Sequence, residues 1–174
     1  MKPTARESVR LAYSQVGYKA PGPGKKNKYA KWFDNDMPGF FNYKKNGENV
    51  DWCAIFCCFC IAYLAKALND ACYVMCTPKK SCAAGVEWLY DYFKAKQRNT
   101  SIAHYGDIIF FSKNGKKSGL YHVGVVYKVT DKYVYWCAGN EKGGHGQVCK
   151  HKYLKSNKKI FAYGRPRYAE DKAA

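Results

Sequence analysis

Two side chains of this sequence are placed to do covalent chemistry together: a thiol that opens a helix-like apolar run and an imidazole that opens a strand-like one. Cysteine attacks a carbonyl carbon as its thiolate, which a helix N-terminus favours through unpaired amides and aligned peptide dipoles. Cys53 begins the run Cys-Ala-Ile-Phe-Cys-Cys-Phe-Cys-Ile at 53–61 and so takes that place. Such a nucleophile needs a base, and histidine serves near neutral pH. Of the four histidines only His122 starts an apolar strand, where a rigid sheet could aim it at a helix end; His104, His145 and His151 lie in polar or Gly/Lys-rich surroundings. A third group should orient the imidazole, and the end of the following strand, at Gly139, Asn140 and Glu141, supplies it, with Asn140 the first choice. Each residue also has a plainer reading. Cys53 fits a buried core thiol, His122 a hydrogen-bonded strand histidine, and Asn140 a turn residue that tolerates positive φ.

The elements that must hold these groups can be read from periodicity. Val9, Leu11, Ala12 and Val16 fall near helical spacing, giving a first helix over 5–16 that stops at Gly17. Residues 20–28 are a loop by composition, 29–33 a short helix or extended piece, and 34–49 a polar loop. The run 53–68 is apolar nearly all round and reads as a buried helix, with Asp51 expected to cap it and point away from the sulfur. Thr77 and Pro78 signal the start of a third helix whose buried face is Ala83, Val86, Leu89, Tyr90 and Phe93. Strands follow at 107–111, 121–129, 132–137 and about 159–163, separated by turn signals at Asn114-Gly115, Thr130-Asp131 and Gly143-Gly144. Asp107, which begins the first of these, is expected to be a structural hydrogen-bond partner. Helices first and antiparallel strands afterwards predict an α+β fold, with N-terminal helices packed on a C-terminal antiparallel sheet.

With 174 residues the chain can bury one core, and a single domain over 1–174 is expected, its core spanning about 5–168. Thirty Lys and Arg against thirteen Asp and Glu give a net charge of +17, which draws polyanions: nucleic acid, anionic lipid or anionic cell-wall polymers. A solvated basic surface that serves solubility explains the same charge. Nine cysteines cannot all pair, and their place in apolar runs favours synthesis in a reducing cytosol. Cys57 and Cys60 form a lone C-x-x-C without a second pair at zinc-site spacing, so no structural zinc is expected. The first residues lack the apolar core of a signal peptide and no run is a convincing membrane span, so a soluble monomer, not inserted in a membrane, is the expectation. Trp32, Trp52, Tyr121 and Trp136 are candidates for lining a substrate groove, with ordinary core or surface packing the alternative for each.

Six ordered segments resemble the CHAP family of cysteine amidohydrolases and peptidases, related to the NlpC-type cell-wall peptidases. They are Val-Asp-Trp-Cys-Ala-Ile-Phe at 50–56, Ser-Cys-Ala-Ala-Gly-Val-Glu-Trp at 81–88, Tyr-Gly-Asp-Ile-Ile-Phe-Phe at 105–111, Tyr-His-Val-Gly-Val-Val at 121–126, Tyr-Val-Tyr-Trp-Cys-Ala-Gly-Asn at 133–140 and Ile-Phe-Ala-Tyr-Gly-Arg-Pro-Arg-Tyr at 160–168. The resemblance implies a papain-like fold in which Cys53 attacks, His122 activates the thiol and then protonates the leaving amine, and Asn140 orients His122. It implies a hydrolase of an amide bond in bacterial peptidoglycan, either an N-acetylmuramoyl-L-alanine amidase or a stem or cross-bridge endopeptidase. Small size and a missing leader fit a bacteriophage endolysin, made in the bacterial cytoplasm and acting on a Gram-positive wall after release. The sequence departs from the family where many members carry a glutamate two residues before this asparagine, since Ala138 stands there. Glu141 is a substitute, although in an ideal strand it would face the other way from Asn140. Some members bind calcium through acidic loops near the nucleophile. The one local cluster, Asp34, Asn35 and Asp36, has too few carboxylates, and no cofactor is expected. Two alternatives stand beside this reading: a non-catalytic basic module gripping nucleic acid, and a cysteine amidohydrolase acting on an amide outside the wall.

Overall fold

The computed structural model describes residues 1–22, 27–43, 51–141 and 146–169. The fold is α+β. Five helices, α1 (Ala5–Ser14), α2 (Lys28–Asp36), α3 (Cys53–Ala65), α4 (Leu68–Val74) and α5 (Val86–Ala95), precede β1 (Asn99–Thr100), β2 (Ile108–Ser112), β3 (Leu120–Val129), β4 (Tyr133–Glu141), β5 (Gln147–Leu154) and β6 (Ile160–Gly164). The strands form one antiparallel sheet in the order β1-β6-β2-β3-β4-β5. Among the described residues no helix is long and apolar enough to cross a membrane.

The central helix is α3. Eleven of its thirteen residues are buried, as an all-apolar helix requires, and it lies between α1, α2 and the strands β3 and β4. It ends at Ala65, three residues short of the expected limit, because Lys66 turns left-handed at φ 56° and α4 follows. Alternation along the strands gives the sheet two dissimilar faces. Ile108, Phe110, Val123, Val125 and Cys137 join the helices in the main core, while Ile109, Phe111, Val126, Trp136 and Ala138 build a smaller cluster on the reverse face.

Three expectations need correction. Thr77 and Pro78 do not open a helix: α5 starts at Val86, with Gly85 at its N-cap position. The backbone of the intervening stretch is claimed by a tertiary partner instead. Lys80 N–H donates to Gly39 O (2.6 Å), Ser81 N–H to Phe40 O (2.9 Å), and Asn42 N–H returns to Ser81 O (2.7 Å). Lys80 stands at φ 51°, a conformation no helix contains. Asp51 does not cap α3, whose N-cap position is Trp52 without a side-chain bond. Residues 29–36, divided in the sequence reading between a short segment and a polar loop, form α2, with the Asn27 side chain accepting from the N–H groups of Tyr29 and Ala30. The turn expected at Gly143-Gly144, and residues 44–49 of the polar loop, lie outside the described residues.

One contact ties sheet to helix at the point that matters for chemistry. Gly139 on β4 faces Trp52, so a Cβ there would run into the indole ring and stand 3.0 Å from Phe56 Cβ. Gly139→Ala is expected to cost about 1–3 kcal/mol of stability by overpacking. Thermal unfolding would show it.

Candidate active site

Cys53 is the first residue of α3. The first bond of the helix runs from Phe56 N–H to Trp52 O at 2.9 Å, and no side-chain cap bonds to the N–H groups before it. The first-turn amides therefore lie uncapped beside the sulfur, where a helix N-terminus favours negative charge. Cys53 and His122 line the same cleft, and Cys53 is among the groups that help hold the His122 proton. His122 Nε2 meets Glu141 Oε1 at 2.7 Å. His151 Nε2 stands 3.3 Å from the same carboxylate oxygen, a charge contact rather than an aligned hydrogen bond. These groups open into a cleft of about 320 Å³, with Asp51, Tyr121, Trp136 and Tyr153 in its walls.

The side chain bonded to the His122 imidazole is Glu141, where Asn140 was expected. The Asn140 amide donates instead to Asp51 Oδ1 at 2.7 Å, across the mouth of the cleft. A bulge in β4 is the cause. Ala138 pairs with Cys149 and Glu141 with Gln147, so two residues of β4 oppose one of β5 between those pairs. Asn140 absorbs the extra residue at φ 61°, which asparagine tolerates better than most side chains. One added residue reverses the alternation, so Glu141 reaches the face that carries Ala138, His122 and His151. An ideal strand would have sent it to the other side.

The aromatic candidates divide. Tyr121 and Trp136 line the cleft, and His122 packs against Phe111, Tyr121 and Trp136 with ring centroids 6.1, 6.2 and 5.9 Å away. Trp52 does not line it. It is buried beside Tyr18 and Tyr29 as part of the core beneath the nucleophile. Trp32 is also outside the cleft, packed on α2 against Phe33, Phe59 and Tyr63. Phe111, His151 and Tyr153 line the cleft without having been candidates; the last two lie on β5, whose alternation of Lys150, His151, Lys152 and Tyr153 looks like loop composition although both faces are used. The period-two pattern of aromatics and lysines was the available signal.

Asp107 is structural. Its buried carboxylate accepts from His104 N–H (2.8 Å) and from the Arg165 guanidinium (3.1 and 3.3 Å). Cys57 and Cys60 are wholly buried in the middle of α3, where desolvation pushes both thiols up. Among the described residues there is no group of three or more Cys, His, Asp or Glu able to hold a metal ion. Asp34, Asn35 and Asp36 form the end of α2.

Burial alone would pull the His122 proton off, but hydrogen bonds and charge from Cys53 and Glu141 outweigh it and raise its pKa to about 9. Burial would likewise raise Glu141, but the hydrogen bond from His122 and the nearby His122 and His151 rings overcome it and hold the carboxyl at about 2. Linkage sets the consequence. The His122 contribution to stability is complete below its ordinary value of 6.5 and is lost as pH rises through about 9. The Glu141 contribution is complete above its ordinary 4.5 and is lost as pH falls toward about 2. The melting temperature is therefore expected to be supported by this pair most fully between those ordinary values, and Glu141→Gln should flatten its pH dependence on both sides.

No family model matches the chain, and no curated protein matches it. Among solved structures, the crystal structure of Ly7917 aligns with a TM-score of 0.52 at 14% identity, covering 94% of this chain. The chain spans 62% of the length of that one. The likeness is one of fold. Fold and site together define an α+β protein with a Cys-His-Glu row at the end of its central helix.

Proposed function

We propose that this protein is a CHAP-type, cysteine-dependent peptidoglycan hydrolase that cuts an amide bond of the bacterial wall, and that it serves a bacteriophage as an endolysin. The observation that carries the reading is the Cys53 thiol at an uncapped helix N-terminus, sharing a cleft with the imidazole that Glu141 bonds. In the proposed reaction His122 takes the Cys53 thiol proton, Cys53 Sγ attacks the carbonyl carbon, and first-turn amides of α3 receive the charge that develops on oxygen. His122 gives its proton to the departing nitrogen, the C–N bond breaks, and an acyl thioester remains. Water then attacks that thioester and His122 takes its proton. The C–S bond breaks, the carboxylic acid leaves, and His122 returns its proton to the sulfur, restoring the thiol. Glu141 holds the ring in position and stabilises its positive charge through both steps. No cofactor enters the sequence. Tyr121 and Trp136 flank the bound chain, and the net charge of +17 suits an anionic wall.

Mass spectrometry of soluble fragments released from purified Gram-positive peptidoglycan tests the reading, comparing untreated protein with protein alkylated by iodoacetamide. Cys53 is buried but lines the cleft, and Cys82 is the one cysteine that is only half-buried. Fragments from the untreated protein alone are the expected result, and their new ends tell an amidase cut from an endopeptidase cut. Failure to release fragments from walls of several chemotypes would remove the wall assignment.

A further inference from the structure

The strands that carry the cleft carry something else on their opposite face. Along β5 His151 and Tyr153 point into the cleft, so Lys150 and Lys152 point away from it; along β4 Trp136 faces the cleft and Tyr135 and Tyr133 face away. On that far side each lysine is seated on a ring. Lys152 Nζ lies 5.0 Å from the Tyr133 centroid, Lys128 Nζ 5.2 Å from Tyr135, and Lys150 Nζ 5.5 Å from Tyr13, whose hydroxyl it also meets at 3.3 Å. The rings touch in series. Tyr13 is 5.1 Å from Tyr127, Tyr127 is 6.1 Å from Tyr135, and Tyr135 is 6.4 Å from Tyr133. The row runs on into a shallow groove of about 380 Å³ that adds Arg10.

We propose that this tyrosine-seated lysine row is a second binding surface, and that its ligand is a linear polyol-phosphate polymer of the bacterial wall. The inference rests on the wall-hydrolase reading for its choice of polymer. Charge favours a polyanion: from 120 to 154 the acidic residues are Asp131, in the β3–β4 turn, and Glu141, which belongs to the cleft. The way the charge is held favours phosphate over bases. A nucleic-acid platform presents open aromatic faces for stacking, whereas here the ammonium groups already lie over the rings. Cation–π contact steadies each lysine, so less side-chain freedom is lost when a phosphate pairs with it. A polymer held on this face leaves the cleft open, so the surface would keep the enzyme on the wall without competing with the substrate.

The test is titration of the whole protein with poly(glycerol phosphate) at several salt concentrations. Replacing Lys128, Lys150 and Lys152 together by Ser is expected to weaken binding at least about tenfold and to lower the slope of log K against log salt by about 2–3. Replacing Lys31, Lys79 and Lys94, exposed lysines elsewhere, removes the same charge and should leave binding within about threefold. Equal losses in the two triple variants would overturn the proposal in favour of net charge alone. Oligo(dT) with the same number of phosphates is expected to bind no more tightly than the polyol phosphate, and tighter binding would overturn it in favour of a nucleic-acid surface. On walls stripped of phosphate polymers both variants should release fragments as the wild type does. A wild type that binds the polymer through these lysines yet cuts no wall would sink the hydrolase reading and leave the surface standing.

Discussion

Cys53→Ala is expected to abolish fragment release, a loss of about 10⁴-fold or more, while the protein stays folded. In the proposed mechanism the nucleophile forms the acyl intermediate itself, so its removal leaves only binding and the helix-end amides to act on the substrate. Alanine keeps the helix and its small buried volume, and the melting temperature should move little at neutral pH beyond what the lost Cys53 contact with His122 contributes. The double variant with His122→Ala is expected to be no worse than either single one, because the two groups act as a unit. Loss of structure in Cys53→Ala, seen by circular dichroism, would make the thiol a packing residue. Full activity with the fold intact would remove it from the chemistry.

Glu141→Gln should lower kcat by about 10²–10⁴-fold, the range for disabling a general acid–base and its orienting partner. It should also leave a signature that simple destabilisation does not. In the wild type the alkaline limb of the activity profile is expected near the His122 value of about 9, because the leaving amine needs the proton on that ring. Glutamine removes the negative charge and the acceptor that help hold the proton, so the limb should move toward the ordinary histidine value of 6.5. Asn140→Gly is the informative comparison. Glycine keeps the positive φ of the bulge and removes only the bond to Asp51, so activity should fall by no more than about tenfold. If Asn140→Gly costs more than Glu141→Gln, the orienting role belongs to the asparagine after all.

The difference between these two neighbours shows how the site could be half read. Cys53 and His122 were legible because each sits at the start of a strongly apolar run, and run type and length are local properties. The order of helices before strands, the buried nature of α3 and the antiparallel sheet followed from the same patterns. The far end of β4 did not, since a single αL residue shifts the register and no local pattern marks it. The same limit hid Trp52. An aromatic beside a nucleophile reads as a groove wall, but Gly139 leaves room for its ring to sink under β4 and become core.

By itself the amino-acid order determined the α+β class, the buried central helix and most of the strands, the surplus of positive charge, and the pair of side chains that could act as nucleophile and base, but not α4 or β5. Those depend on periodicity, composition and helix-end preferences, all written within a few residues. Only the tertiary structure decided that Glu141 rather than Asn140 bonds the imidazole, that His151 shares its carboxylate, and that lysines line up on the reverse of the same strands. Each of these depends on which face of a strand a residue occupies and which strand lies beside it. That is settled by register and one bulge, through contacts between residues far apart in the chain.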